Sequence, residues 1–394
     1  MTPTPDDLQR WTDADSVARP SRVDSLRTRM AAEGVDAYFG VRRENTRYLT
    51  GFELDDGEEK VAGYSGQFLV GRDDVIVFAD SRYTHAAAEQ CREARVERVY
   101  NDLFARWPEL IASLGPVEKV AAEAGFISHA TWQKLQAASP GVELVPAEGW
   151  VEEQRQVKEP AEIERIAAAC AVADAALNRL LPQIRAGATE SELALALEWE
   201  MRTNGAEALA FGVACLSGPN AARPHGAPTS RPLRSGEVVL FDFGAQVSGY
   251  RSDMTRTLFV GEPSAADLAI YNLVERAQQE AFDTLSRALA EGNRPVGRDV
   301  HMVAKEVITD GGHGDHFGHG LGHGIGLATH ELPQLGMSAG AQKTLPSPTV
   351  FSVEPGIYLD GVTGVRIEDL VVFDAEAKRL DRLTMFPREV TVVG

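Results

Sequence analysis

A chain of 394 residues is long for one hydrophobic core and comfortable for two. With 58 acidic against 39 basic side chains, its net charge of −19 repels phosphate backbones and anionic lipid, so neither nucleic acid nor a membrane surface is an expected partner. The three cysteines, Cys91, Cys170 and Cys215, are too scattered for a disulfide framework or a Cys-x-x-Cys metal site and read as small buried hydrophobes.

The N-terminal stretch MTPTPDDLQRW has no basic region followed by an apolar one. No apolar run approaches the roughly 20 residues that span a bilayer. A cytoplasmic location is therefore the expectation.

Residues 1–155 predict an α/β unit. VDAYFGV (35–41) has the pattern of a strand, and GQFLVGRDDVIVFAD (66–80) that of two strands joined by a tight turn at 71–74. A helix over 81–94 and a strand in VEKVAAEAG (117–125) follow. The polar segment 148–160, EGWVEEQRQVKEP, predicts a linker, which places a second domain at 156–394. That domain opens on Pro160, suited to the first turn of a helix over 161–181. A further helix starts at Thr189, where Glu192 three residues on completes a capping box, and a long one covers 262–289. Between and after them come strand-like runs at 238–244, 256–261, 349–359 and 365–374, an α+β pattern of mostly antiparallel hairpins.

Carboxylates lie inside these strands. Asp242 sits in VVLFDFG, flanked by apolar residues, and a buried carboxylate needs a hydrogen-bonding partner or a cation. Folding the chain about Val247–Ser248 brings Asp253 opposite it, about 5 Å away. A second hairpin, centred near Gly361, opposes Glu354 and Glu368 in the same way. One such pair has a plain structural explanation, with one acid capping a turn and the other on a wet edge. Two pairs in one domain point to cations. Oxygen donors suit Mn²⁺ and similar hard ions, and one histidine is compatible with Mn, Co, Zn or Fe. Four negative charges match two divalent cations, which can share carboxylates and hold a bridging hydroxide as nucleophile.

Five of the nine histidines fall between 313 and 330. HGLGHGIG (319–326) is too glycine-rich for a helix. In an extended segment His319 and His323 lie about 13 Å apart, so they cannot bind one ion. One is expected to be a ligand and the others to line the cavity, with the glycines allowing tight turns and close approach of substrate. His313 and His316 stand outside the tighter motif and read as ordinary polar packing.

In this order, FDFG, SDMTRT, HGLGHGIG, VEPGIY and GVRIED strongly resemble the motifs of the pita-bread metallopeptidases that include Xaa-Pro aminopeptidases and prolidases. NTRYLTGF (45–52) and FADSRYTHAA (78–87) resemble the creatinase-type N-terminal domain of the proline-specific members. The resemblance implies two divalent metal ions, a homodimer and hydrolysis of the peptide bond before proline. Asp242 would hold one metal, Asp253 and Glu368 would bridge both, and His323 would bind the other with Glu354. His225, in NAARPHGAPT, would contact the scissile group, and His330 would be a second substrate-side histidine. His319 would line the pocket, and Arg366 would support the site or meet a substrate carboxylate. Glu354 and the histidines would shuttle protons.

Two other functions compete. A relative of the same fold could act on a small non-peptide substrate, or the chain could be a non-catalytic peptide-binding protein. A metal-free creatinase-like hydrolase fits less well, because all five ligand positions are occupied by ligand-type residues. The chain has no nucleotide-binding GxGxxG or Walker loop.

Overall fold

A computed structural model describes residues 3–54 and 63–394. They form two compact units, one of Thr12–Arg155 and one of Met1–Trp11 with Gln156–Gly394. In the first, six strands run in the spatial order Arg95–Arg98, Val75–Ala79, Phe68–Val70, Ala37–Gly40, Lys119–Glu123 and Glu143–Ala147. The turn at 71–74 forms as its sequence predicts, with Gly71 N–H donating to the Asp74 carbonyl at 2.8 Å. Phe39, Phe78 and Trp107 pack at the centre of its core.

Two expectations in this unit change. The helix placed at 81–94 spans only Thr84–Gln90, because the Asp80 carboxylate draws the Arg82 N–H into a turn first. The segment read as a linker contains the helix Trp150–Arg155. Trp150 and Val151 are buried, and the buried Arg155 guanidinium donates to Asn45, so its polar composition hid an apolar face.

The second unit is helices wrapped on mostly antiparallel sheets. Its helices Pro160–Leu180 and Glu190–Thr203 both begin in capping boxes, the second built from Thr189 and Glu192 as the sequence indicates. The long helix Ala265–Glu291 ends at Gly292, whose φ of 75° is left-handed. The helix Gly297–Asp310, unanticipated in the sequence, buries Val300, Ala304 and Ile308 at helical spacing. Helix Ala265–Glu291 supplies Val274, Ala277 and Leu285 to a core shared with Phe351, Val365 and Phe373 of the strands.

Strand registers place the carboxylates. The first hairpin turns one residue later than expected. Ser248 and Gly249 both have positive φ, 45° and 76°, the geometry of a turn that matches strand twist. A turn centred on Val247–Ser248 would have forced β-branched Val247 to positive φ. Asp242 on strand Val238–Phe243 therefore opposes Thr255 on strand Met254–Val260. Asp253 sits diagonally across from Asp242 rather than facing it, but on the same side of the pair.

The second hairpin follows its expected register. Strands Thr349–Val353 and Asp369–Asp374 pair Val353 with Asp369, and strands Gly356–Leu359 and Thr363–Arg366 pair Gly356 with Arg366. Glu354 and Glu368 stand opposite each other at the break between these two ladders. Their N–H groups turn outward to other chain segments, Glu354 to the Leu321 carbonyl at 2.7 Å and Glu368 to that of Thr255 at 3.1 Å. The interruption thus ties the hairpin to both the histidine strand and the Asp253 strand.

Two glycines of HGLGHGIG stand where neighbouring strands approach closely. A Cβ on Gly322 would lie 1.8 Å from the Ser352 carbonyl oxygen, and one on Gly324 would lie 2.0 Å from that of Leu332. These glycines admit neighbouring protein backbone, and Gly322 also lines a cavity within the second unit. Replacing Gly322 with alanine must push strand Gly322–Gly324 away from strand Thr349–Val353. Gly322→Ala is expected to lose about 3 kcal/mol or more in urea unfolding, as overpacked cores do.

Candidate metal centre

A cavity of about 560 Å³ opens within the second unit. All nine residues singled out from the sequence line it: His225, Asp242, Asp253, His319, His323, His330, Glu354, Arg366 and Glu368. His313 and His316 do not line it and pack against each other, rings 5.4 Å apart.

Three of the five candidate ligands converge closely. Asp253, His323 and Glu368 each offer a ligand atom within 4.8 Å of the others. His323 Nε2 lies 3.4 Å from Glu354 Oε1 and 3.7 Å from Asp253 Oδ2. The other ring nitrogen, Nδ1, is 3.0 Å from the Gly324 carbonyl. A carbonyl only accepts, so Nδ1 carries the proton and the Nε2 lone pair faces the carboxylates. Burial holds the His323 imidazole below its ordinary pKa, which favours that neutral form.

Asp253 and Glu368 are both buried. Thr255 Oγ donates to Glu368 Oε2 at 2.7 Å, but Glu368 Oε1 and Asp253 Oδ1 have no hydrogen-bond partner. Buried carboxylate oxygens without a donor are rare and costly. Burial first, and then the neighbouring carboxylates, push both groups well above the usual carboxylate range. Oxygens orphaned in this way, together with an imidazole lone pair, form a donor set that a divalent cation fits.

Asp242 is treated differently. Arg366 Nη2 donates to its Oδ2 at 2.6 Å. The same guanidinium donates to Thr255 Oγ at 2.9 Å, to the Tyr358 hydroxyl at 2.9 Å and to the Pro224 carbonyl at 3.2 Å. Of the two roles open to Arg366, support of the site matches these bonds, for the side chain is buried and its donors face protein acceptors.

The other histidines border the open part of the cavity. His225 and His330 are exposed, and the His330 ring lies 4.1 Å from that of His323. His319 Nδ1 donates to the Gly320 carbonyl at 2.8 Å, and its Nε2 meets the Tyr358 hydroxyl at 2.9 Å. Burial pushes His319 down to about 4, so it is neutral at physiological pH.

Three residues that organise the site were not singled out in the sequence, although Thr255 and Tyr358 lie within SDMTRT and VEPGIY. Tyr358 joins His319 to Arg366. Thr255 joins Arg366 to Glu368. Ser352 Oγ accepts from His323 N–H at 3.1 Å and donates to Glu354 Oε1 at 3.2 Å. Thr255 and Ser352 each lie two positions from a strand carboxylate, on the same face, and that spacing was the available signal.

Residues 164–375, over half of the chain, match metallopeptidase family M24. The chain belongs to that family. Residues 22–157 match the Creatinase/Prolidase N-terminal domain. An Xaa-Pro dipeptidase of Pyrococcus furiosus is 30% identical over 94% of this metallopeptidase and 99% of its own length. The solved structure of an Xaa-Pro dipeptidase from Bacillus anthracis is 30% identical, with a TM-score of 0.84 over 95% of this chain and 100% of that one. That of an X-Pro aminopeptidase from Thermotoga maritima is 32% identical, with a TM-score of 0.81 over 94% and 99%. The metallopeptidase thus has the expected fold, a creatinase-type α/β domain followed by a pita-bread α+β domain.

The carboxylate cluster makes metal binding pH-linked. Burial raises Glu354 to about 7, with Asp242 adding to the rise and Arg366 opposing it, and Asp253 and Glu368 shift in the same direction. A raised carboxyl pKa means that the metal-free folded protein holds protons the unfolded chain has already released. The contribution of these groups to stability therefore falls as pH rises from about 4.5 towards 7. Cations replace those protons. The Tm gain on adding Mn²⁺ to metal-free protein is expected to be larger at pH 7.5 than at pH 5.5, measured by calorimetry at fixed metal concentration. An equal gain at both values would contradict this linkage.

Proposed function

We propose that this metallopeptidase is an Xaa-Pro peptidase that hydrolyses the bond before proline at peptide N-termini with two divalent cations. The observation that carries the metal assignment is the pair of orphaned oxygens, Asp253 Oδ1 and Glu368 Oε1, in the wall of the cavity. The proline assignment is supported by relatives named as Xaa-Pro dipeptidase and X-Pro aminopeptidase.

Asp242 would hold one cation, His323 and Glu354 the other, and Asp253 and Glu368 would be shared. Manganese is the proposed ion, on the oxygen-rich donor set. The cations supply Lewis acidity and water of lowered pKa. The chain supplies the rest. Arg366 fixes Asp242, and the Gly324 carbonyl fixes the His323 tautomer. The bond before proline is a tertiary amide, so its nitrogen has no proton and must gain one to leave. Glu354 takes a proton from the attacking water and returns it to the proline nitrogen as the bond breaks, while His330, at the open side of the cavity, faces the substrate. His225 donates to the oxygen of the scissile carbonyl as it gains charge. The proposed setting is cytoplasmic, and the proposed assembly is a homodimer on the family resemblance alone.

The test is turnover of a Gly-Pro dipeptide, an Xaa-Pro-Xaa tripeptide and a matched Xaa-Ala-Xaa tripeptide by Mn²⁺-loaded and chelated enzyme. Cleavage of one or both proline substrates, lost on chelation, with the alanine peptide intact, is expected. No cleavage by metal-loaded enzyme would reject the reading in favour of a non-peptide substrate or a binding protein. His225→Ala is expected to lower kcat about 100-fold with bound metal unchanged, the scale of losing one proton-donating group.

A further inference from the structure

The loop that carries His225 is fastened by a carboxylate that belongs to no recognised motif. Glu190 is the first residue of helix Glu190–Thr203 and is fully buried, at 0% exposure. A buried carboxylate is tolerated only when donors surround it. Here every donor bonded to the carboxylate comes from one chain segment. Oε1 accepts from Ser217 N–H at 2.7 Å, Ser217 Oγ at 2.8 Å and Asn220 Nδ2 at 3.1 Å. Oε2 accepts from Thr229 Oγ at 2.6 Å, Thr229 N–H at 3.0 Å and the same Asn220 amide at 3.1 Å. None of these bonds caps the helix, whose start is served by the separate exchange between Thr189 and Glu192.

The carboxylate thus clips Ser217 to Thr229, and His225 lies in the loop so closed. Arg231 secures the clip from outside. Its Nη1 donates to Ser217 Oγ at 2.7 Å, which leaves that hydroxyl's own proton for Glu190. The far side of the loop touches the metal hairpin. Arg366 donates to the Pro224 carbonyl, and Gly364 lies so close to the Ala221 carbonyl that a Cβ there would be 1.9 Å from its oxygen. Between these two constraints stand exposed Arg223, Pro224 and His225.

We propose that Glu190 is the positioning residue for His225, setting the height of its imidazole above the metal centre. This rests on the reading of His225 as a substrate-side donor. Glu190 never touches substrate. It acts by fixing both ends of the His225 loop, and displacing a catalytic group by about 1 Å can cost on the order of 100-fold in rate. Glutamine cannot replace it, because a glutamine NH₂ would face donors, either the Thr229 and Asn220 groups or those of Ser217.

The test is a double-mutant cycle on the Mn²⁺-loaded full-length enzyme, with the proline substrate it turns over best. Glu190→Gln is expected to lower kcat about tenfold, with KM within twofold and bound metal unchanged. In the His225→Ala background the same substitution is expected to cause no further loss, because the group it positions is gone. Glu192→Ala removes the exposed cap on the same helix turn, and is expected to lower Tm while leaving kcat unchanged. Should Glu190→Gln fail to fold, Thr229→Val removes only one of the six bonds and is expected to show a smaller kcat loss with the same dependence on His225. Multiplicative losses, or a Glu190→Gln enzyme of unchanged kcat, would overturn the assignment. A His225→Ala enzyme of full activity would instead reject the role of His225, and the positioning role with it.

Discussion

Asp253 and Glu368 are buried with one oxygen each beyond the reach of any donor, and Glu354 and Asp242 line the same cavity. Like charges this close repel, and burial removes the water that would screen them. Among the described residues lining the cavity, one guanidinium, Arg366, opposes four carboxylates. The local fold is organised around this imbalance. Two hairpins from distant parts of the chain bring the carboxylates together, and the break in the second hairpin exposes Glu354 and Glu368 to the cavity while their N–H groups bind other strands. A site of this kind is completed by cations, so metal binding and stability become one equilibrium.

Arg366 determines how the remaining groups respond to that charge. Its donors reach Asp242, Thr255, Tyr358 and the Pro224 carbonyl, and thereby a candidate ligand, the residue holding Glu368, the partner of His319 and the loop of His225. A lysine at this position would present a point charge with three donors on a flexible stem and could not hold these four directions at once. Because the guanidinium is committed to protein acceptors, the cavity face is left to histidines. His319 is neutral there, which keeps a second fixed positive charge away from the carboxylate cluster.

The parts of this arrangement legible in the sequence are those that local rules control. Apolar strands interrupted by Asp242, Glu354 and Glu368 revealed both the hairpins and their charge, and a glycine-rich segment excluded a metal-binding helix. The capping box at Thr189 follows from spacing alone. What the sequence hid depends on non-local contacts. The turn at Ser248–Gly249 shifted the first register by one residue, because positive φ suits Ser-Gly and not Val-Ser. The helix Trp150–Arg155 looked like a linker, since its charged residues outnumber the two apolar ones that it buries. Thr255, Ser352 and Tyr358 are common residues in common strands and gain meaning only from what the fold places opposite them. Glu190 is the extreme case. At the first turn of a helix an acid is expected for the dipole alone, and nothing local shows that its partners lie 27 to 39 positions away.

The alternation of glycine and histidine in the central motif follows from the same geometry. Strand Gly322–Gly324 pairs with Glu331–Leu335 on one side and with Thr349–Val353 on the other. Side chains alternate in direction along a strand, so His323 points one way while positions 322 and 324 point the other. On that other side, backbone oxygens of Ser352 and Leu332 occupy the space a Cβ would need. Glycine on both sides of His323 lets the strand sit close enough for the imidazole Nε2 to reach Asp253 and Glu354. Ser352 uses the same proximity twice, pressing its carbonyl against Gly322 and sending its hydroxyl to His323 N–H and Glu354. A larger residue at 322 would therefore do more than strain a strand. It would separate His323 from Ser352, and with it the imidazole from Asp253 and Glu354.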